Sequence, residues 1–221
     1  HTRWATHGAP SEINAHPHRS GRVAVVHNGI IENYKALRET LVAQGYKTET
    51  ETDTETISLL AQSYLDQGLA PRDAAEQTIA RLEGAFALAF LFEGEDDLIF
   101  AARKGSPLAV GHGDGEMYLG SDAIALSPLT DRITYLEEGD RAVLTRQGVE
   151  IWDENGTLAN RDIRTVRIDT AQIEKGGYKH FMAKEIAEQP TVLAEAATHY
   201  LSGDTLALPD SVPDFTSVDR M

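Results

Sequence analysis

Cysteine is missing from all 221 residues, which excludes disulfide frameworks and thiolate metal sites. Positive charge is scarce as well. Twenty lysines and arginines face 35 aspartates and glutamates, and the net charge of -15 argues against nucleic acid and anionic membrane surfaces as partners. No apolar run approaches the roughly 18 residues of a membrane span. The opening residues do not read as a secretory signal, so the cytoplasm is the expected location. Chemical fingerprints are few. There is no His-Glu-x-x-His motif, Gly113-Asp114-Gly115 reads as a hairpin turn rather than a phosphate loop, and Ser106 and Ser121-Asp122 lack a nucleophile-elbow context. Internal repeats and low-complexity tracts are absent.

What is present is an ordinary globular composition, 41% hydrophobic and 25% charged. A chain of this length buries roughly 70% of its unfolded surface. Its chemistry concentrates in the first thirty residues. The segment His1-Thr2-Arg3-Trp4-Ala5-Thr6-His7-Gly8 is rich in polar groups and shows little apolar periodicity. Arg3 offers a planar fork of donors suited to a carboxylate. Farther on, Val23-Ala24-Val25-Val26 reads as a short buried strand ending in His27-Asn28-Gly29. Just past a strand end, Asn28 and Gly29 could place a side-chain amide and a backbone N–H side by side, the two donors an acyl-transfer oxyanion needs. On the dipeptide alone, Asn-Gly is more often a tight turn, and an Arg beside a Trp is usually a packing pair. Five of the eight histidines lie between His1 and His27, which raises a metal site, but no carboxylate stands at ligand spacing.

Residues 9–22 are rich in turn formers and read as a loop. The pattern then predicts a helix with Asn33 as N-cap, Tyr34, Leu37 and Leu41 on one face, and Gly45 as its stop. Thr52-Asp53-Thr54-Glu55 is a capping-box pattern opening a second helix, with Ile57, Leu60 and Tyr64 buried and Gly68 at its end. By pattern alone, Asp53 is an acid favoured by the dipole of a first helical turn. A third helix runs from Pro71 or Arg72 to Leu82. From Gly84 the period changes. Ala85 to Phe92 is apolar throughout and reads as a buried strand, with further strands at 98–102, 108–112, 117–121, 132–136, 142–146 and 149–152. An antiparallel sheet system after a helical layer makes the class α+β. Near Asp169 a linker begins, followed by a helical stretch from Tyr178 to Tyr200 interrupted at Pro190.

Four motifs, taken in order, resemble the glutaminase domain of the glutamine–fructose-6-phosphate aminotransferase (glucosamine-6-phosphate synthase) family. They are His1 to Gly8, Asn14-Ala-His-Pro-His18, Val26-His-Asn-Gly-Ile-Ile-Glu-Asn33 and Glu51-Thr-Asp-Thr-Glu55. The resemblance continues through Leu82–Phe86, Gly105–Leu108 and Leu136–Asp140, and Tyr178 to Pro190 is similar to the family's entry into its sugar isomerase (SIS) half. It implies three parts: a glutaminase domain over 1–169, a linker over 170–177, and the start of the isomerase domain over 178–221. The fold it implies is the αββα sandwich of N-terminal-nucleophile (Ntn) hydrolases, as in class II glutamine amidotransferases. Because the chain has no Cys-Gly-Ile start and stops before the phosphate-binding loops, truncation at both ends and loss of the first strands are expected.

The activity the resemblance implies is hydrolysis of L-glutamine and transfer of the ammonia to fructose 6-phosphate, giving glucosamine 6-phosphate. It needs no cofactor, and the full-length enzyme is expected to be a homodimer. Carried over residue by residue, Arg3 pairs with the glutamine α-carboxylate, Asp53 takes the α-ammonium, Thr6 and His7 hydrogen-bond to the substrate, and Trp4 sits at the ammonia channel. Asn28 and Gly29 form the oxyanion hole. The family's nucleophile is an N-terminal cysteine, so the chain as written is expected to be inactive alone. Two alternatives remain open. Amidophosphoribosyltransferase shares the glutaminase fold but fits Thr2–Thr6 and His27–Ile31 less well. A catalytically dead glutamine-binding module is favoured by the missing cysteine.

Overall fold

A computed structural model describes residues 7–168, 174–202 and 205–206. The chain divides into two compact units, 1–168 and 169–221. In the first unit the elements run β1 (His18–Ser20), β2 (Val23–Ile31), α1 (Tyr34–Ala43), α2 (Asp53–Asp66), α3 (Pro71–Ile79), β3 (Gly84–Phe92) and β4 (Ile99–Lys104). There follow β5 (Ala109–His112), β6 (Met117–Gly120), α4 (Ala123–Leu126), β7 (Arg132–Tyr135), β8 (Arg141–Thr145), β9 (Gly148–Trp152) and β10 (Arg164–Thr165). They form a six-stranded sheet, ordered β1-β2-β3-β4-β8-β9, and a four-stranded sheet, ordered β10-β7-β5-β6. Neighbouring strands in both are antiparallel.

The central strand β3 shows why the layers stack as they do. Its two faces are both apolar but unequal in bulk. Phe86, Leu88, Phe90 and Phe92 pack with Leu37 and Leu41 of α1 and Ile57 and Leu60 of α2. On the opposite face Ala87 joins Ala101, Val110, Leu136, Ala142 and Leu144 between the two sheets. Large side chains fill the wide gap between helix and sheet, and alanines let the sheets approach. A smaller cluster, with Ala123 and Leu126 of α4, covers the second sheet over Ala109 and Ile133. The layer order is therefore helix, sheet, sheet, helix, with the last layer reduced to one turn.

Four expectations need correction. The strand read as Val23–Val26 continues to Ile31, and each of its nine residues pairs with one of β3. Nine cross-strand partners override the turn preference of Asn28-Gly29. Asn33 precedes α1 but makes no cap hydrogen bond. Its amide instead donates to the Arg81 carbonyl at 2.8 Å and accepts from the Glu83 N–H at 3.1 Å, tying α1 to the connection before β3. The capping box at α2 is half formed. Thr52 accepts from the Glu55 N–H at 3.3 Å, while the Glu55 carboxylate turns to the N–H groups of Glu49 and Thr50. The third helix ends at Ile79, three residues earlier than read.

In the second unit α5 (Phe181–Tyr200) runs through Pro190, whose missing N–H removes one hydrogen bond without ending the helix, and a short hairpin follows, β11 (Leu201–Ser202) with β12 (Thr205–Leu206). Lys184 is buried there and donates to the Glu174 carbonyl at 2.7 Å. No described helix is long and apolar enough to cross a membrane.

Candidate active site

The site lies where β2 meets the first turn of α2. Strand β1 covers β2 only at Val23–Val25, so from Val26 to Ile31 the outer edge of β2 is unpaired among the described residues. Asp53 faces that edge. Its Oδ2 accepts the Ile31 N–H at 2.9 Å, and the residue is 4% exposed. Alternate N–H groups of a strand point to the same edge, which places the N–H of Gly29 beside that of Ile31. Asn28 is exposed, on the face of β2 opposite the buried His27.

Only glycine fits position 29. Its φ is +132°, and a Cβ there would stand 2.1 Å from the Ala85 carbonyl oxygen and 2.8 Å from Phe86 Cα. The glycine thus belongs to a close strand crossing, not to a turn.

Two imidazoles flank the Asp53 carboxylate: His7 Nδ1 at 3.9 Å and His27 Nδ1 at 4.0 Å from Oδ2. Burial pushes His27 down to about 4 against the pull of Asp53, and His18 and His7 lower it further. At neutral pH His27 is uncharged. Among the described residues no lysine or arginine lies within ion-pair distance of Asp53, since Arg38 is turned to Glu55 at 3.5 Å and to the carbonyls of Thr50 and Thr52. Asp53 is thus a buried carboxylate with a backbone donor and, among the described residues, no lysine or arginine partner.

The depressed His27 has a consequence for stability. Its folded value is near 4 and its unfolded value near 6.5, so between these the unfolded chain binds more protons. Stability should fall as pH drops below about 6.5, with a slope approaching one proton, and this contribution should level off below about 4. Urea unfolding at a series of pH values checks it. A His27→Gln variant that keeps the same slope would contradict it.

The segment carrying His7 is held by residues that the sequence gives only as members of two motifs, with no role of their own. Asn14, 2% exposed, donates to the Ala9 carbonyl at 2.9 Å and accepts the Glu51 N–H at 3.2 Å, while Glu51 accepts the Ala9 N–H at 3.3 Å. These bonds staple the loop after Gly8 to the loop before α2. Of the residues singled out from sequence, the fold brings His7, Asp53, Gly29 and Asn28 to one region. Arg3, Trp4 and Thr6 lie outside the described residues. His16, His18 and His27 meet threonine hydroxyl groups, and among the described residues no group of three or more His, Asp or Glu could hold an ion.

The profile of the glutamine amidotransferase domain matches residues 1–128. The chain belongs to the glutamine amidotransferase domain family. This glutamine amidotransferase domain is 54% identical over 224 residues to a glutamine–fructose-6-phosphate aminotransferase (isomerizing) of Bradyrhizobium diazoefficiens, and 52% identical over 223 residues to one of Brucella abortus. Each match covers the whole chain and 37% of the relative, so the chain spans little more than a third of the length of these curated relatives. Among solved structures, glutamine phosphoribosylpyrophosphate amidotransferase from B. subtilis aligns with a TM-score of 0.58 and 24% identity, over 72% of this chain and 35% of that one. That likeness is one of fold, the Ntn sandwich of class II glutamine amidotransferases. The identity over 50% lies with the aminotransferases, as the motif at Thr2–Thr6 led one to expect.

Proposed function

We propose that the domain binds L-glutamine along the open edge of β2 and, in a longer protein, feeds its amide ammonia to fructose 6-phosphate to make glucosamine 6-phosphate. The observation that carries this reading is the buried Asp53 carboxylate held on the N–H of Ile31, two strand residues from Gly29. That separation is roughly 6.6 Å. The four bonds from the α-nitrogen of glutamine to its amide carbon span roughly 5 Å, so one molecule reaches from Asp53 to the Asn28–Gly29 donors. In this reading Asp53 takes the α-ammonium, Arg3 the α-carboxylate, Thr6 and His7 further hydrogen bonds, and Trp4 the mouth of the ammonia channel. The Asn28 amide and the Gly29 N–H receive the oxyanion.

The resemblance of 178–221 to an isomerase entry, and the contact division after residue 168, support placing the start of a sugar isomerase domain in the second unit. A cytoplasmic homodimer completes the reading for the full-length enzyme.

Calorimetric titration of the 221-residue chain with L-glutamine tests the assignment. Asp53→Asn keeps an acceptor for the Ile31 N–H but loses the charge, which should weaken binding by about 10- to 150-fold, as for a charge-assisted hydrogen bond of roughly 1.5–3 kcal/mol. Equal affinities for the two proteins would overturn it. The same preparation should release no ammonia from glutamine, since the covalent step has no thiol.

A further inference from the structure

The loop that joins α1 to α2 ends in four residues, Glu49 to Thr52, whose shape is set by side chains. All four of their N–H groups donate to one. Those of Glu49 and Thr50 go to the two oxygens of the Glu55 carboxylate at 2.7 and 3.1 Å, and that of Glu51 goes to Asn14 Oδ1 at 3.2 Å. That of Thr52 goes to the Thr50 hydroxyl at 3.3 Å. Arg38 of α1 takes the carbonyls. Its guanidinium donates to the carbonyl of Thr50 at 3.2 Å, to that of Thr52, and to the Thr56 hydroxyl at 3.3 Å, and it lies 3.5 Å from Glu55 Oε2. A tight turn closes on its own backbone; this segment closes on a carboxylate and a guanidinium.

The loop in turn carries the segment of His7. Glu51 Oε2 accepts the Ala9 N–H at 3.3 Å, and Asn14 donates to the Ala9 carbonyl at 2.9 Å. Gly8 passes so close that a Cβ there would stand 2.8 Å from Asn14 Nδ2 and 3.1 Å from Glu51 Cβ. One residue earlier, the ring of His7 lies 4.9 Å from the Tyr34 ring of α1, and its Nδ1 lies 3.9 Å from Asp53 Oδ2. The placement of His7 is therefore referred to the same helix start that carries Asp53.

We propose that Arg38 and Glu55 are positioning residues for glutamine. Neither is among the residues assigned to substrate. They fix the Glu49–Thr52 loop, through it the seat of His7–Ala9, and so the distance at which His7 faces Asp53. Their link to substrate rests on reading Asp53 as the ammonium site. The side-chain types matter. A carboxylate offers two acceptor oxygens to adjacent N–H groups, where a glutamine has only one. A guanidinium spans two carbonyls and an acid at once, where a lysine brings a single ammonium. In a full capping box Glu55 would turn back to the Thr52 N–H; its diversion to Glu49 and Thr50 is the local sign of this second duty.

Two measurements on the 221-residue chain separate the seat from the substrate. Nuclear Overhauser contacts between the rings of His7 and Tyr34 report the seat without ligand. They should be present in the parent and lost in Arg38→Met, in Glu55→Gln and in Arg38→Lys, which keeps the charge but cannot span the carbonyls. Their persistence in Arg38→Met or Arg38→Lys would overturn the positioning. Calorimetric titration with L-glutamine should show binding about 5- to 30-fold weaker in Arg38→Met, the effect of one or two lost hydrogen bonds. Phe100→Leu, a change in the core on β4, is the control; it should lower stability to urea and keep both the ring contact and the parental affinity. Parental affinity in Arg38→Met, or an equal loss in Phe100→Leu, would overturn the positioning as well. A parent chain that binds no glutamine, but whose ring contact depends on Arg38, would overturn the ammonium-site reading and leave the seat standing.

Discussion

Replacing Asn28 by alanine, in a full-length glutamine–fructose-6-phosphate aminotransferase that carries this domain and its cysteine, is expected to lower glutaminase kcat by roughly 100- to 1000-fold with little change in KM. The argument is one of timing. A donor aimed at an oxyanion contributes when charge develops on the oxygen, so its loss, on the order of 2.7–4 kcal/mol, falls on the barrier rather than on ground-state binding. The position of Asn28 supports that role. It is exposed on a strand whose other edge is fully paired to β3, so its amide is carried on a rigid support. Steady-state kinetics with glutamine alone, following glutamate, makes the measurement. An unchanged kcat would remove Asn28 from the oxyanion hole.

Gly29→Ala is expected to damage both the fold and the site. A methyl group would stand 2.1 Å from a backbone carbonyl of β3, on a residue whose φ of +132° side chains rarely adopt. Neither neighbour is a flexible side chain that can step aside. Overpacking of this kind and the backbone strain together cost roughly 2–5 kcal/mol. Denaturant unfolding of the variant should show that loss, and glutamine affinity should fall with it because β2 must shift away from Asp53. A variant as stable as the parent would mean that the crossing of β2 and β3 relaxes far more easily than its geometry implies.

How much of this was legible in the sequence depends on the reach of each interaction. The strand β3 was readable because both its faces are apolar, and α2 because a cap, a periodic face and a terminal glycine all fall within seventeen residues. The role of Asn28-Gly29 was legible only through resemblance, and its setting was misread. A turn is the local optimum for that dipeptide, and the pairing that overrules it comes from β3, some sixty residues away. Asn14, Glu51, Thr54 and His16 were hidden for the same reason. Their partners lie 37 or 38 residues off in the sequence, beyond any periodic pattern. Thr54 had been read only as part of a cap, a role its neighbour Thr52 fills alone.

The extension of β2 through Ile31 also divides the site into parts that can and cannot be altered. A residue inserted beside Asn28 would slip the register against β3 and turn every inward side chain of the strand outward. The floor of the site is thus closed to insertions. The loop from Gly8 to Ala15 and the loop from Gln44 to Thr52 touch each other through Asn14 and Glu51, and since neither belongs to a ladder they can lengthen without disturbing one. Redesign of substrate preference in this scaffold has those two loops as its adjustable material, and because they are stapled together, a change of length in one has to be matched in the other.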